Sequence, residues 1–503
     1  MKPMRKNRHS SPLSLLAPAL VAALMAIGCT GTPGSQKADA PAPYGALPTA
    51  RQLAWHDMQM YAFIHFTTTT FRDVEWGYGD AEPDEFNPTR YNPRQWMEVL
   101  KAAGMKGVVL TAKHHDGFCL WPSQLTDYSV AHSSWRDGKG DVVGDVAREA
   151  ARAGLKFGVY LSPWDRHDLR YGTSDYITYF RGQLQELLTH YGPIFEVWQD
   201  GANGGDGYYG GLRERRTIDN RTYYDWATTD SLIRQLQPGA CIFSDGGPDT
   251  RWCGNESGNV GETNWATLNR GDFAPGHADG NALRHGQMGG THWVPAEVDV
   301  SIRPGWFYHQ REDNRVKTVE QLMDIYYTSV GRGSNLILNV PPTKEGLIHP
   351  TDSARLVAFG QALAREFSCP LPAAEVKSCR ATDQRRGFDA RLACDGEPST
   401  YWATRDDVRE ATLTMKLRHP APLYRLRLRE PIQLGQRIDT FHVEALTTAG
   451  EWQPIAAGTT VGPQRLLRLP EDIEARALRV TVHSPVACPL LSDIQLFLPP
   501  EEK

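Results

Sequence analysis

The chain is short of three things, and each shortage removes a class of function. It has no basic surplus: 54 lysines and arginines stand against 59 aspartates and glutamates, a formal charge of −5. A nucleic-acid partner would favour a basic face, so that class is set aside. Its eight cysteines show neither the paired spacing of a zinc site nor the density of a disulfide scaffold. Its N-terminal apolar run, Leu13 to Ile27 with Pro18 inside it, is too short to span a bilayer comfortably and has the size of a signal h-region. What remains is ordinary for a globular protein, with 40% apolar and 22% charged residues. At 503 residues there is room for one domain of barrel size and a smaller one. Tryptophan is plentiful, at 14, and much of it lies beside Gly, Asp and His, a pattern suited to stacking on sugar rings.

Lys2, Arg5, Lys6 and Arg8 precede the apolar run as a basic n-region. The run ends in Ala26-Ile27-Gly28-Cys29, which resembles a bacterial lipobox with Ala at its first position. The expectation is an exported bacterial protein in the periplasm or at the outer membrane, anchored by lipid on Cys29. Residues 1–29 would be the leader and 30–47, rich in Gly, Pro, Ala and Ser, a flexible tether. Plain cleavage and free secretion is the alternative. Cys369, Cys379, Cys394 and Cys488 fall late in the chain, where an oxidising compartment would let them pair. Their spacing leaves the connectivity open. Cys119, Cys241 and Cys253 read as buried or pocket-lining thiols.

From 48 to 368, apolar runs alternate with amphipathic stretches. Strand candidates are Tyr61 to Phe66, Gly107 to Lys113, Lys156 to Ser162, Ile194 to Asp200, Cys241 to Asp245 and Asn335 to Val340. Helical patterns lie between them, as in Pro93 to Gly104, Val142 to Gly154 and Ile177 to Tyr191. Strand and helix alternating over this length predict an α/β fold closed as a (β/α)8-like barrel. Only six strands are visible, and the loop-rich stretch from Asn255 to Arg315 hides the rest, so a distorted barrel fits equally well.

The strand ends carry the chemistry. They lead to His65, to Lys113-His114-His115-Asp116, to Tyr160 and Trp164-Asp165, to Trp198-Gln199-Asp200-Gly201, to Asp245 and to Asn339. Barrel active sites are built at the C-terminal strand ends, so these groups should share one rim. A retaining glycosidase needs an ionised carboxylate and a protonated one roughly 5 to 5.5 Å apart. Asp200 suits the nucleophile, because it follows a rigid strand and precedes Gly201, which lets a substrate approach. His114 and His115 raise the question of a metal site. Neighbours on an extended strand point to opposite sides, however, so the two imidazoles should not share an ion, and no metal is expected.

The blocks Phe63-Ile64-His65-Phe66, Glu75-Trp76-Gly77, Lys113 to Phe118, Tyr160 to Trp164 and Glu196 to Gly201 resemble the signature segments of glycoside hydrolase family 29, the α-L-fucosidases. That resemblance makes Asp200 the nucleophile. Arg251-Trp252-Cys253-Gly254-Asn255-Glu256 resembles the block of the branch preferring α-1,3/4 linkages, which makes Glu256 the acid/base, with Glu262 and Glu297 as rivals. His65, Glu75, Trp76, His114, His115, Tyr160, Trp198, Arg251 and Trp306 are then expected to bind substrate, a terminal fucose on an oligosaccharide or glycoconjugate. No cofactor is expected for catalysis.

After Pro370-Leu371-Pro372 the pattern changes to period two, at Thr412 to Leu417, Tyr424 to Arg429, Phe441 to Leu446, Arg465 to Leu469 and Ala477 to His483. An all-β sandwich over 373–500 is expected. Cys394-Asp395-Gly396 followed by Thr400-Tyr401-Trp402 resembles discoidin-like, galactose-binding-like domains. That resemblance implies a structural calcium or a glycan-binding role, with a purely structural module as the other reading. Three rivals stand beside the α-1,3/4-fucosidase reading: a fucosidase of broad linkage preference, a glycan-binding lipoprotein with little or no catalysis, and a metal-dependent barrel hydrolase using His65, His114 and His115.

Overall fold

The computed structural model describes residues 39–501. The leader, the lipobox and Cys29 lie outside the described residues. Eight parallel strands close into a barrel in chain order: β1 Met60–Ile64, β2 Gly107–Lys113, β3 Lys156–Leu161, β4 Ile194–Trp198, β5 Cys241–Ser244, β6 Thr250–Trp252, β7 Ala296–Ser301 and β8 Asn335–Asn339, which returns to β1. The six expected strands are present, and the two that sequence hid are β6 and β7. β6 is three residues long and follows β5 with no helix between them, so the regular alternation fails there. β7 reads Ala-Glu-Val-Asp-Val-Ser, with Glu297, Asp299 and Ser301 alternating with Ala296, Val298 and Val300. The apolar set joins the large core beneath the helices.

The same alternation runs through the other strands. Met60, Ala62, Ile64, Val197, Leu336 and Leu338 belong to the outer core, while Tyr61, Phe63, Tyr160, Trp198, Phe243 and Ile337 pack together as a separate cluster filling the barrel. That inner cluster is the floor on which the site stands. The outer helices begin and end where local chemistry dictates. Asn92 caps Pro93–Ala102, and its side chain accepts from Gln95 N. Asp141 caps Val142–Ala153, which stops at Gly154 with φ of 75°.

The second domain is a sandwich. One antiparallel sheet orders Val376–Ala381, Glu410–Pro422, Glu474–His483, Thr440–Thr447 and Trp452–Gly458; the other orders Arg465–Arg468, Arg425–Arg429 and Asp493–Phe497. It packs on the barrel through Glu262, whose carboxylate pairs with Arg465 and, at 3.1 Å, with Arg332. Thr460 and Gln436 also hold the 264–266 segment. Asp395, on which the calcium expectation rested, accepts from the Thr400 hydroxyl and from Glu397 N within its own turn.

Candidate active site

β4 ends at Trp198, and Asp200 lies two residues beyond it over the inner cluster. One carboxylate oxygen accepts from Ala202 N at 2.6 Å and the other from the Tyr160 hydroxyl at 3.0 Å. Burial pushes the Asp200 carboxyl above its usual range, and these two donors pull it back toward ionisation. Nε2 of His115 lies 3.9 Å from the same carboxylate. Trp198 forms the floor, stacked on Phe243 with centroids 3.9 Å apart, and its Nε1 donates to Glu297.

The Lys113-His114-His115-Asp116 segment is anchored at both ends. Nζ of Lys113 points outward, where it meets Asp165 at 3.0 Å and Gln183 at 2.9 Å in full burial. Asp116 accepts from the hydroxyls of Thr67, Thr68 and Thr69 at 2.7–3.0 Å. The ladder slips one residue between Thr111 and Lys113. The strand ends at Lys113 and His114 opens a turn closed by Gly117 N donating to its carbonyl at 3.0 Å, which changes one expectation: His114 and His115 do not point apart but lie side by side, with ring centroids 4.1 Å apart. Their rings meet His65 and Trp76 respectively. Gly77 sits so tightly against Thr69 and Asp116 that a Cβ has no room, which seats the Trp76 ring over His115 and Trp164.

The histidines are neutral. Burial lowers His65 and His115 to about 3, and drives His114 well below its usual value. The hydrogen-bond network fixes two tautomers. Ser162 gives its hydroxyl hydrogen to the Trp164 carbonyl at 2.6 Å, so it must accept from Nδ1–H of His115 at 2.7 Å. Asn339 gives its amide hydrogens to the Trp306 carbonyl and Ser301, so its oxygen accepts from Nδ1–H of His65 at 2.8 Å. Each ring is left with Nε2 as an acceptor.

Glu256 follows β6 on an exposed loop. Its carboxylate accepts from Trp306 Nε1 at 3.1 Å. Burial, then the charges of Asp200 and Glu75, raise its carboxyl, and the indole donor opposes them. Trp306 is itself held from behind: Glu75 accepts from Trp306 N at 2.8 Å, Phe307 N at 3.3 Å and His309 Nε2 at 2.5 Å. Glu75, expected to bind substrate, therefore holds the loop that carries the indole.

Three sequence expectations need correction. Arg251 lies fully buried, and its guanidinium donates to the carbonyls of Leu283, Val294 and Trp265 and to Asn264, so it builds the wall rather than facing a ligand. Glu262 is spent on the domain interface described above. Glu297 is buried in the barrel, accepting from Tyr61 and Trp198, beside Glu196, whose carboxyl is pushed up by burial and by Glu297.

Sequence missed other contributors. Phe307 packs on His65 and His114. Asp299 accepts from Trp252 Nε1 at 2.9 Å and is raised by burial and by Glu256. Asp245, noticed only as a strand end, crowds the Cα of Gly201 and accepts from Gly276 N at 2.6 Å. Burial, with Asp200 adding to it, pushes Asp245 up to about 7. Arg166 donates to the carbonyls of Gly77 at 2.8 Å and Asp206 at 2.7 Å, tying the Trp76 loop to the Gly205–Arg216 hairpin.

A parallel barrel whose C-terminal rim offers carboxyls among aromatic rings and neutral imidazoles is the architecture of a glycoside hydrolase. The α-L-fucosidase profile matches residues 43–366, and the F5/8 type C domain profile matches 375–490. The chain is 45% identical to alpha-L-fucosidase 1 of Arabidopsis thaliana over 91% of this chain and 88% of that one. A solved glycoside hydrolase 29 family member from an unknown rumen bacterium shares 44% identity and a TM-score of 0.79, over 92% of this chain and 79% of its own. A Ruminococcus gnavus GH29 fucosidase solved in complex with fucose shares 30% identity and a TM-score of 0.81, over 93% and 98%. The chain belongs to glycoside hydrolase family 29, the α-L-fucosidases.

Proposed function

We propose that this chain is a retaining exo-α-L-fucosidase that removes terminal α-1,3/4-linked fucose from branched glycans. The observation that carries the reading is the pairing of Asp200, held by Ala202 N–H and the Tyr160 hydroxyl, with a raised Glu256 hydrogen-bonded to Trp306. In the first step Asp200 attacks C1 of the fucose, and Glu256 gives its proton to the departing glycosidic oxygen. In the second, Glu256 takes a proton from water, which releases fucose and frees Asp200. Neutral imidazoles suit this chemistry, because they accept hydrogen bonds from sugar hydroxyls through Nε2 without setting a positive charge beside an oxocarbenium-like transition state. His65 and His115 fill that role, with Trp76, Trp198 and Trp306 walling the ring. The preference for branched substrates rests on the Arg251–Glu256 block.

Export, with lipid attachment at Cys29, belongs to the same proposal and rests on the sequence of the N-terminal segment. The test compares 4-nitrophenyl α-L-fucoside with Lewis-type trisaccharides and with unbranched α-1,2-fucosides, and follows the first-formed anomer by NMR. Better turnover of the α-1,3/4 trisaccharides with α-fucose appearing first is expected. Equal or better cleavage of α-1,2-fucosides would defeat the linkage preference, and β-fucose appearing first would defeat retention.

A further inference from the structure

The two sulfurs of Cys379 and Cys394 lie 2.7 Å apart in the interior of the sandwich. That is shorter than the ~3.5–4.0 Å at which unbonded carbon atoms rest, and sulfur is the larger atom. Two thiols with no bond between them would be pushed apart. We propose that Cys379 and Cys394 are joined by a disulfide in the functional protein.

The surroundings favour this pair over the alternatives. Both side chains are only 8% exposed and belong to the sandwich core with Leu371, Trp402 and Met415, so a bridge there sacrifices no strong hydrogen bond. The other cysteines have different company: Cys119 meets the Gly117 carbonyl, Cys241 the Arg51 carbonyl, Cys253 the Asn255 carbonyl, Cys369 the Ser368 hydroxyl and Cys488 the Arg437 guanidinium. A surface cleft lined by Lys377, Arg380, Arg391 and Arg418 reaches both sulfurs. It gives an oxidant a way in.

The bridge has mechanical work to do. Cys379 lies on Val376–Ala381, the edge strand of its sheet, which pairs only with Glu410–Pro422. An edge strand is held by hydrogen bonds on one side and is the first to fray. Cys394 ends the short 3-10 turn Ala390–Ala393 and immediately precedes Asp395. A bond between them pins the first strand of the sandwich to the turn that carries Asp395 and Gly396, closing a loop across 15 positions and constraining the unfolded chain.

The chemistry is thiol–disulfide exchange. The two thiols lose two protons and two electrons and form one sulfur–sulfur bond; an oxidised disulfide partner accepts both electrons and is split into two thiols. In a cell, the partner class is an oxidised dithiol protein of an exporting compartment, so formation in vivo rests on the export reading above.

The test separates the two claims by supplying the oxidant. The purified full chain is equilibrated in a buffer of reduced and oxidised glutathione, denatured, alkylated without reduction and digested with trypsin. The expected product joins Ser378–Arg380 to Leu392–Arg405, is lighter by two hydrogens than the separate peptides, and splits with dithiothreitol. Two of the seven described cysteines escape alkylation. Quantitative alkylation of both, or a bridge from either to Cys369, Cys488 or glutathione, would overturn the pairing. A chain found in the cytosol that still forms the bond in this buffer counts against export and supports the pairing. The oxidised chain should also lose thermal stability when reductant is added, and the Cys379→Ser/Cys394→Ser double variant should not respond. A double variant as sensitive to reductant as the parent would overturn the stabilising role.

Discussion

The indole Nε1–H of Trp306 donates to Oε2 of Glu256 across 3.1 Å, while Glu75 holds the Trp306 backbone from the opposite side. The indole favours the ionised form of Glu256 against burial and against the charges of Asp200 and Glu75. Trp306→Phe keeps the ring and removes the donor, so the Glu256 carboxyl should rise further. The alkaline limb of kcat/KM should move to higher pH by up to about one unit, given a net hydrogen-bond worth of about 1 kcal/mol. An unmoved limb, measured with an α-1,3/4-linked trisaccharide whose leaving group needs the proton, would remove Glu256 from the proton-transfer step.

Glu256→Gln should divide substrates by leaving group. A 4-nitrophenol needs little protonation to depart, whereas a sugar hydroxyl needs the proton that Glu256 gives. Turnover of trisaccharides should therefore fall by about 10²–10⁴-fold and turnover of aryl fucosides much less. Equal losses on both would point to misplacement of substrate instead.

Arg251→Lys keeps a charge but loses the fork that donates to three carbonyls and Asn264. The variant should be destabilised by about 2–4 kcal/mol in urea unfolding, because buried acceptors lose charged donors. KM of the folded fraction should stay unchanged. A raised KM with unchanged stability would restore Arg251 to the substrate.

Asp245 ties stability to pH with a definite sign. Its folded carboxyl is pushed up to about 7, whereas an unfolded aspartate titrates near its model value of 3.8. Between those values the folded state holds the extra proton, so the contribution is fully present below about pH 4 and is lost as pH rises toward about 7. Asp230, raised to about 6, and Glu430, raised to about 7, act in the same sense. Each contributes a slope of up to about 1.4 kcal/mol per pH unit. Asp245→Asn should flatten the decline of unfolding free energy across that window, and an unchanged decline would contradict the burial-driven shift.

Exhaustive chelation should leave hydrolysis of the aryl fucoside unchanged, since the proposed reaction needs only the carboxyls of Asp200 and Glu256, and among the described residues no group of three or more His, Cys, Asp and Glu is placed to hold an ion. Loss of activity restored by one added metal would return the metal-dependent hydrolase to consideration.

Much of the barrel was legible because its outer strand residues must be apolar and its helices carry their own caps. Asn92, Asp141 and Gly154 announce helix ends in sequence. β7 was not legible, because its inward positions are Glu297, Asp299 and Ser301, and an alternating strand of that composition resembles a loop. β6 was too short to show a period. The Lys-His-His-Asp block was legible as functional but not in its geometry, since β2 ends at Lys113 and both histidines lie in the turn beyond it, where strand alternation no longer sets side-chain direction. Arg251 misled because it adjoins the Glu256 block in sequence, and its partners come from positions 264 to 294, which no local pattern connects.

The most direct test traps the intermediate with a 2-deoxy-2-fluoro-fucosyl fluoride and locates the label by peptide mass spectrometry. A stoichiometric sugar ester on the Asp200 side chain, absent from Asp200→Asn, is the predicted result. An adduct on any other carboxylate, or steady inverting turnover with no adduct, would contradict the account.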